Sequence, residues 1–154
     1  KEGNVPWNKA SWKNAYFAGL IDGEGYISIQ GNAPDKTRYQ RIVVRTSMVT
    51  KISLEEGQNI WGGWIYERNR PQQTPYFEWV IQHGQAEKFL KDISPYLKEK
   101  KKQTELALRL RFLQTRKRTV NNHISEEELI QRKILEKDLK ALHLNKGKKN
   151  QIPS

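Results

Sequence analysis

Between Phe17 and Gly25 the chain reads Phe-Ala-Gly-Leu-Ile-Asp-Gly-Glu-Gly, and this stretch limits the fold more than any other. Tyr16, Leu20 and Ile21 share a helical stripe, while Ala15, Ala18 and Gly19 supply small faces, so a helix is expected to begin near Ser11 or Asn14. It is expected to stop near Asp22, because Gly23 and Gly25 bracket an acid in a helix-breaking stretch. Directly beyond, Tyr26-Ile27-Ser28-Ile29-Gln30 alternates with the period of a strand. Ala15 and Gly19, four apart, allow a second helix to approach to backbone contact. Two such helices side by side would bring two acidic ends together. That juxtaposition is unfavourable for the carboxylates alone, and a divalent cation reverses its sign.

The remaining pattern groups strands in pairs. Gly31–Lys36 turns into a second strand, Tyr39–Ser47, with Ile42 and Val44 on one face and Arg41, Val43 and Arg45 on the other. A short helix spans Ile52–Ile60. Gly62-Gly63 then turns the chain into Trp64–Arg68, and Tyr76–Gln82 follows after the Pro71–Pro75 loop. Gln85–Ile93 is an amphipathic helix, and Pro95 opens a longer one through Leu113. Ser125 to Glu128 forms a capping box ahead of a terminal helix, Leu129–Leu144. The order α-β-β-α-β-β-α-α-α predicts an antiparallel sheet with helices on one face, the α+β class. One domain is expected over residues 1–144, with a core of about 11–113 and C-terminal helices over 114–144. The lysine-rich tail Asn145–Ser154 is expected to be disordered.

Charge narrows the partner. Against 28 lysines and arginines stand 17 acids, a net charge of +11 over 154 residues, and polyanions are the natural ligands of such a chain. Cysteine is absent, which excludes disulfides and thiolate zinc sites. The longest uncharged runs, Gly25–Pro34 and Gly57–Tyr66, are ten residues each, so no bilayer span is expected. Lys1–Trp12 carries no apolar block, and the expectation is an intracellular protein without a membrane partner.

The nonapeptide closely resembles the LAGLIDADG signature of homing endonucleases, with Phe17 for the leading leucine, Gly23 for alanine and Glu24 for the second aspartate. Ser94-Pro95-Tyr96-Leu97-Lys98-Glu99-Lys100 is similar to the family's later segment, in which a proline-aromatic-leucine start precedes a lysine cluster. The likeness spans roughly Ser11 to Leu113 and implies an αββαββα core whose sheet forms a DNA-binding saddle. By the family pattern Glu24 matches the metal-binding acid, the carbonyl of Gly23 joins the coordination, and Lys100 matches the catalytic-pocket lysine with Lys98 beside it. Asp22 matches the first acid, which shapes the helix end. A single copy of the motif implies a symmetric homodimer joined through Ala15, Ala18, Gly19 and Asp22, on a palindromic or nearly palindromic site. The implied cofactor is Mg²⁺, or Mn²⁺ or Ca²⁺ in the same place. The implied reaction is hydrolysis of one phosphodiester per strand of double-stranded DNA, with staggered cuts across the minor groove.

A sheet face free of helices can enter the major groove, and alternation selects Ser28, Gln30, Arg41, Val43, Arg45, Tyr66, Arg68 and Arg70 as its readers. Arg116 and Lys117 are expected to grip phosphate. The rival reading is a catalytically inactive relative of the same fold, either a sequence-specific DNA-binding protein or an RNA maturase. Trp61, Trp64 and Trp79 are expected in core or interface, and His83, His123 and His143 lack metal-cluster spacing.

Overall fold

The computed structural model describes residues 9–31, 39–116 and 123–148. Helix α1 (Lys9–Glu24) leads into β1 (Gly25–Gln30), and β2 (Arg41–Met48) returns beside it. Helix α2 (Ile52–Trp61), the hairpin β3 (Trp64–Arg68) and β4 (Tyr76–Gln82), α3 (His83–Ile93), a 3-10 turn at Ser94–Tyr96, α4 (Lys101–Thr115) and α5 (Glu126–Lys148) complete the order. The sheet is antiparallel throughout with spatial order β1-β2-β4-β3. The α+β expectation holds.

Alternation builds the core. Ile27 and Ile29 of β1, Ile42 and Val44 of β2, and Trp79 and Ile81 of β4 point to one face and meet Phe17, Ile21, Leu54, Phe89, Leu90 and Leu110 of the helices. Phe17 sits at the centre of an aromatic cluster, with Trp61, Trp79 and Phe89 ring centroids at 5.0, 5.9 and 6.4 Å in edge-on contacts. Trp61 and Trp79 are therefore core, as expected, and their indoles donate to Asp92 Oδ2 at 2.8 Å and to the Gly62 carbonyl at 2.9 Å. Gly62 and Gly63 turn the chain at φ of 81° and 87°, the left-handed region that glycine tolerates.

Several boundaries differ from the sequence reading, three of them by enough to matter for the site or the tail. Helix α1 continues through Gly23 to Glu24 instead of stopping at Asp22. Pro95 opens only the 3-10 turn, and α4 starts six residues later because the intervening turn is held by α1, as described below. Helix α5 extends to Lys148, so the expected polar tail loses Asn145–Lys148 to the helix. Its capping box forms half as expected: the Glu128 amide donates to Ser125 Oγ at 3.1 Å, while the Glu128 carboxylate is buried on Arg132 and reached by Arg116.

Helix α5 packs on α4 and along β1, which would otherwise be a free sheet edge. His143, at its C-terminal end, hydrogen-bonds the Ile27 carbonyl at 2.8 Å and stacks on Tyr26 at 4.3 Å. No helix among the described residues is long and apolar enough to cross a membrane.

Candidate nucleic-acid interface

The end of α1 and the turn before α4 cap each other. A helix leaves its last carbonyls and its first amides without internal partners. The Asp22 carboxylate accepts the amides of Lys98, Glu99 and Lys100 at 2.8, 3.1 and 3.0 Å. In return the buried Lys100 ammonium donates to the carbonyls of Ile21 at 2.7 Å and Asp22 at 2.8 Å, against the negative end of the α1 dipole. Asp22 thus closes the helix end, and its carboxylate is occupied within its own chain. Lys98 is exposed beside this junction, and Gly23 and Glu24 are exposed at the tip.

Glycines around this tip divide into two kinds. A Cβ on Gly25 would lie 2.7 Å from the Ile21 carbonyl oxygen, so the helix-to-strand junction itself requires glycine there. A Cβ on Gly19 or Gly23 would meet nothing within 4 Å. Gly19 and Gly23 lie on an outward stripe of α1 with Trp12, 46% exposed, and Tyr16, 43% exposed, while Ala15 is half-buried. Ala18, expected at an interface, is corrected by its position: it is fully buried among the protomer's own helices and sheet.

The opposite face of the sheet is open from β2 to β3, while at its β1 end α5 borders it: His143 stacks on Tyr26, and Glu136 and Lys140 line a cleft with Tyr26, Ser28 and Gln30. Register aligns Tyr26 with Arg45, Ser28 with Val43, and Gln30 with Arg41. It further aligns Val43 with Gln82, Arg45 with Val80, Trp64 with Val80, Tyr66 with Glu78, and Arg68 with Tyr76. Five of the eight expected readers stand there as half-buried or exposed side chains, Gln30, Arg41, Arg45, Tyr66 and Arg68, and Arg70 is exposed in the loop just beyond β3. The other two form its floor. Val43 is fully buried and Ser28 is 7% exposed, donating to the Val43 carbonyl at 3.5 Å, so neither presents a group to a groove. The Nε atoms of Arg41 and Arg45 are buried with no partner among the described residues. A buried donor left so costs roughly 1–3 kcal/mol.

Two arginines of the hairpin have partners within it. Arg68 Nη2 donates to Glu78 Oε1 at 2.9 Å, with its guanidinium carbon 5.0 Å from the Tyr66 ring centroid. The hydrogen bond and charge of Glu78 hold the Arg68 guanidinium above its already high ordinary pKa. Arg70 Nη2 donates to Tyr76 Oη at 3.1 Å, 5.3 Å from that ring. Arg116 is paired with Glu128 at 3.2 Å, and Lys117 lies outside the described residues.

No family model and no curated protein matches the sequence. Solved structures do. The homing endonuclease I-CvuI, in complex with its target in the presence of calcium, superposes with a TM-score of 0.68 at 22% identity, over 86% of this chain and 83% of that one. The archaeal intron-encoded homing endonuclease I-Vdi141I, complexed with DNA, gives 0.66 at 21% identity over 87% and 86%. The LAGLIDADG homing endonuclease I-GzeII, in complex with its DNA target, gives 0.60 at 16% over 89% and 45%.

The chain has the LAGLIDADG homing-endonuclease fold. Within that fold the signature nonapeptide lies at the end of α1 and the basic face lies on the sheet, as the sequence resemblance implies. Sequence reasoning missed Trp64, 59% exposed on the open face, together with Tyr26, Tyr76, Glu78 and Gln82. The alternation of β4 carried that signal: Phe77, Trp79 and Ile81 turn inward, which sends Tyr76, Glu78 and Gln82 outward. Among the described residues no group of three or more His, Cys, Asp or Glu could hold a metal within one copy.

Proposed function

We propose that this LAGLIDADG-fold chain is a site-specific double-strand DNA endonuclease, working as a homodimer whose two α1 helices pack against each other. The observation that carries this reading is the outward stripe of α1: Gly19 and Gly23 are glycines that one protomer's packing does not require, and they lead to an exposed Glu24. Close helix–helix approach explains both. A twofold axis through that contact sets the two Glu24 carboxylates together over the DNA, favouring a palindromic or nearly palindromic site and staggered cuts across the minor groove.

The donor set fits a hard cation. Glu24 offers a carboxylate and Gly23 a carbonyl, oxygen ligands of the type Mg²⁺ takes, with Mn²⁺ or Ca²⁺ in the same place. One copy supplies too few such groups among the described residues, so the second copy and a DNA phosphate would have to complete the set. Bound there, Mg²⁺ supplies charge neutralisation at the scissile phosphate and activation of a water. Glu24 provides the anionic oxygen at the helix tip. Lys100 adds positive charge behind that tip through its hold on the Ile21 and Asp22 carbonyls. Lys98, Arg116 and Lys117 grip phosphate, while Gln30, Arg41, Arg45, Tyr66 and Arg68 face the bases, with Arg70 in the loop beside them and Ser28 and Val43 as the floor beneath.

Incubation with Mg²⁺ and a library of randomised duplex DNA tests the reading. Cleaved, alignable sites are expected from the wild-type chain, and Glu24→Gln is expected to bind those sites without cutting them. Retention of DNA with no cutting by the wild type would favour the inactive DNA-binding relative. Retention of RNA alone would favour a maturase.

A further inference from the structure

A carboxylate on a surface built to meet phosphates repels its own ligand, so Glu78 requires an explanation. It stands on the open face of β4 directly opposite Tyr66 and one diagonal step from Arg68. Its side chain is 16% exposed against 46% for Arg68, so the acid lies deeper and the guanidinium rides above it. Arginine on such a face works in one of two ways. A mobile guanidinium grips phosphate and is blind to sequence, whereas a guanidinium fixed in plane offers paired N–H groups to guanine N7 and O6. Glu78 takes one N–H of Arg68, and the Tyr66 ring supports the cation, leaving the planar fork donors for a bidentate contact. Arg70 provides an internal contrast: it too lies over a ring, that of Tyr76, but among the described residues its hydrogen bond goes to the neutral Tyr76 hydroxyl and not to a carboxylate, and it stands in the loop beyond β3.

Resting on the DNA-binding reading above, we propose that Glu78 is a specificity-determining positioning residue: by holding Arg68 over Tyr66, it makes each protomer require a guanine at one fixed position of its half-site. Arg70, held less firmly, contributes affinity with little base preference. Without Glu78 the Arg68 side chain regains rotamer freedom and turns from a base reader into a phosphate contact.

Binding selection from randomised duplex DNA in calcium, followed by sequencing of bound duplexes, tests this. Wild-type protein is expected to enrich one dominant guanine per half-site that Arg68→Ala loses. Glu78→Ala, with Arg68 intact, is expected to lose the same guanine, its affinity for the guanine duplex falling roughly tenfold while duplexes with another base there change little. Glu78→Gln, which keeps the shape and an acceptor oxygen, is expected to restore part of the preference, and it serves as the test variant if Glu78→Ala melts early. Arg70→Ala is expected to weaken all sequences alike. The same guanine selected with equal strength by Glu78→Ala and Glu78→Gln would overturn the proposal. So would a cytosine preference that survives Arg68→Ala and vanishes in Glu78→Ala, since Glu78 would then read the base itself. No enrichment by the wild type would instead defeat the DNA-binding reading beneath it.

Discussion

Asp22 and Lys100 are 78 positions apart, yet each completes the other's helix. Asp22→Ala leaves three amides without their acceptor, and an expected loss of about 1–3 kcal/mol should appear in urea unfolding. Lys100→Met strips the donor from two carbonyls and buries an apolar chain in its place, with a loss of similar size. Glu24 is exposed and outside this exchange, so Glu24→Gln is expected to shift stability by no more than about 0.5 kcal/mol while abolishing cleavage. That separation makes it a clean functional probe. None of the reciprocal capping was legible in the sequence. An acid between glycines advertises a helix end, but which distant amides it caps depends on where the chain returns.

Helices α3 and α4 are tied by Glu87, whose carboxylate receives Lys91 at 2.9 Å and Arg111 at 3.1 Å. The Lys91 hydrogen bond, followed by that of Arg111, outweighs burial and holds Glu87 below the usual glutamate range. A depressed folded-state value means that the contribution is complete above the unfolded value of about 4.3 and fades as pH falls through the lower folded value. Glu87→Gln should therefore narrow the stability difference from wild type as pH drops below about 4, read by denaturant midpoints across pH. At this scale the sequence was mostly readable. Period-two alternation marked β1 and β2, which have one face on the core, and the Gly62-Gly63 turn and Pro71–Pro75 loop bracketed β3 and β4. The start of α4 was not readable, since proline marks a permissible helix start and only the hold of Asp22 on residues 98–100 delays it. The length of α5 was misread because Asn145–Lys148 has tail-like composition, yet the helix runs through it.

For the whole molecule the question is what α1 faces. The sheet face was legible as alternating arginines, yet Val43 and Ser28 proved to be floor, because cross-strand neighbours and not parity alone decide how far a side chain reaches. Gly19→Leu should leave one protomer as stable or slightly more so, by up to about 1 kcal/mol, since the added side chain enters open space on a helix. It should also abolish self-association, measured by sedimentation. The absence of cysteine permits a more direct measurement: Glu24→Cys introduces the chain's sole thiol at the helix tip. With a short bismaleimide the account predicts rapid linkage into a species of twice 18.1 kDa, persisting on dilution and strengthened by DNA. A folded Glu24→Cys chain that binds DNA and stays at single mass would contradict it.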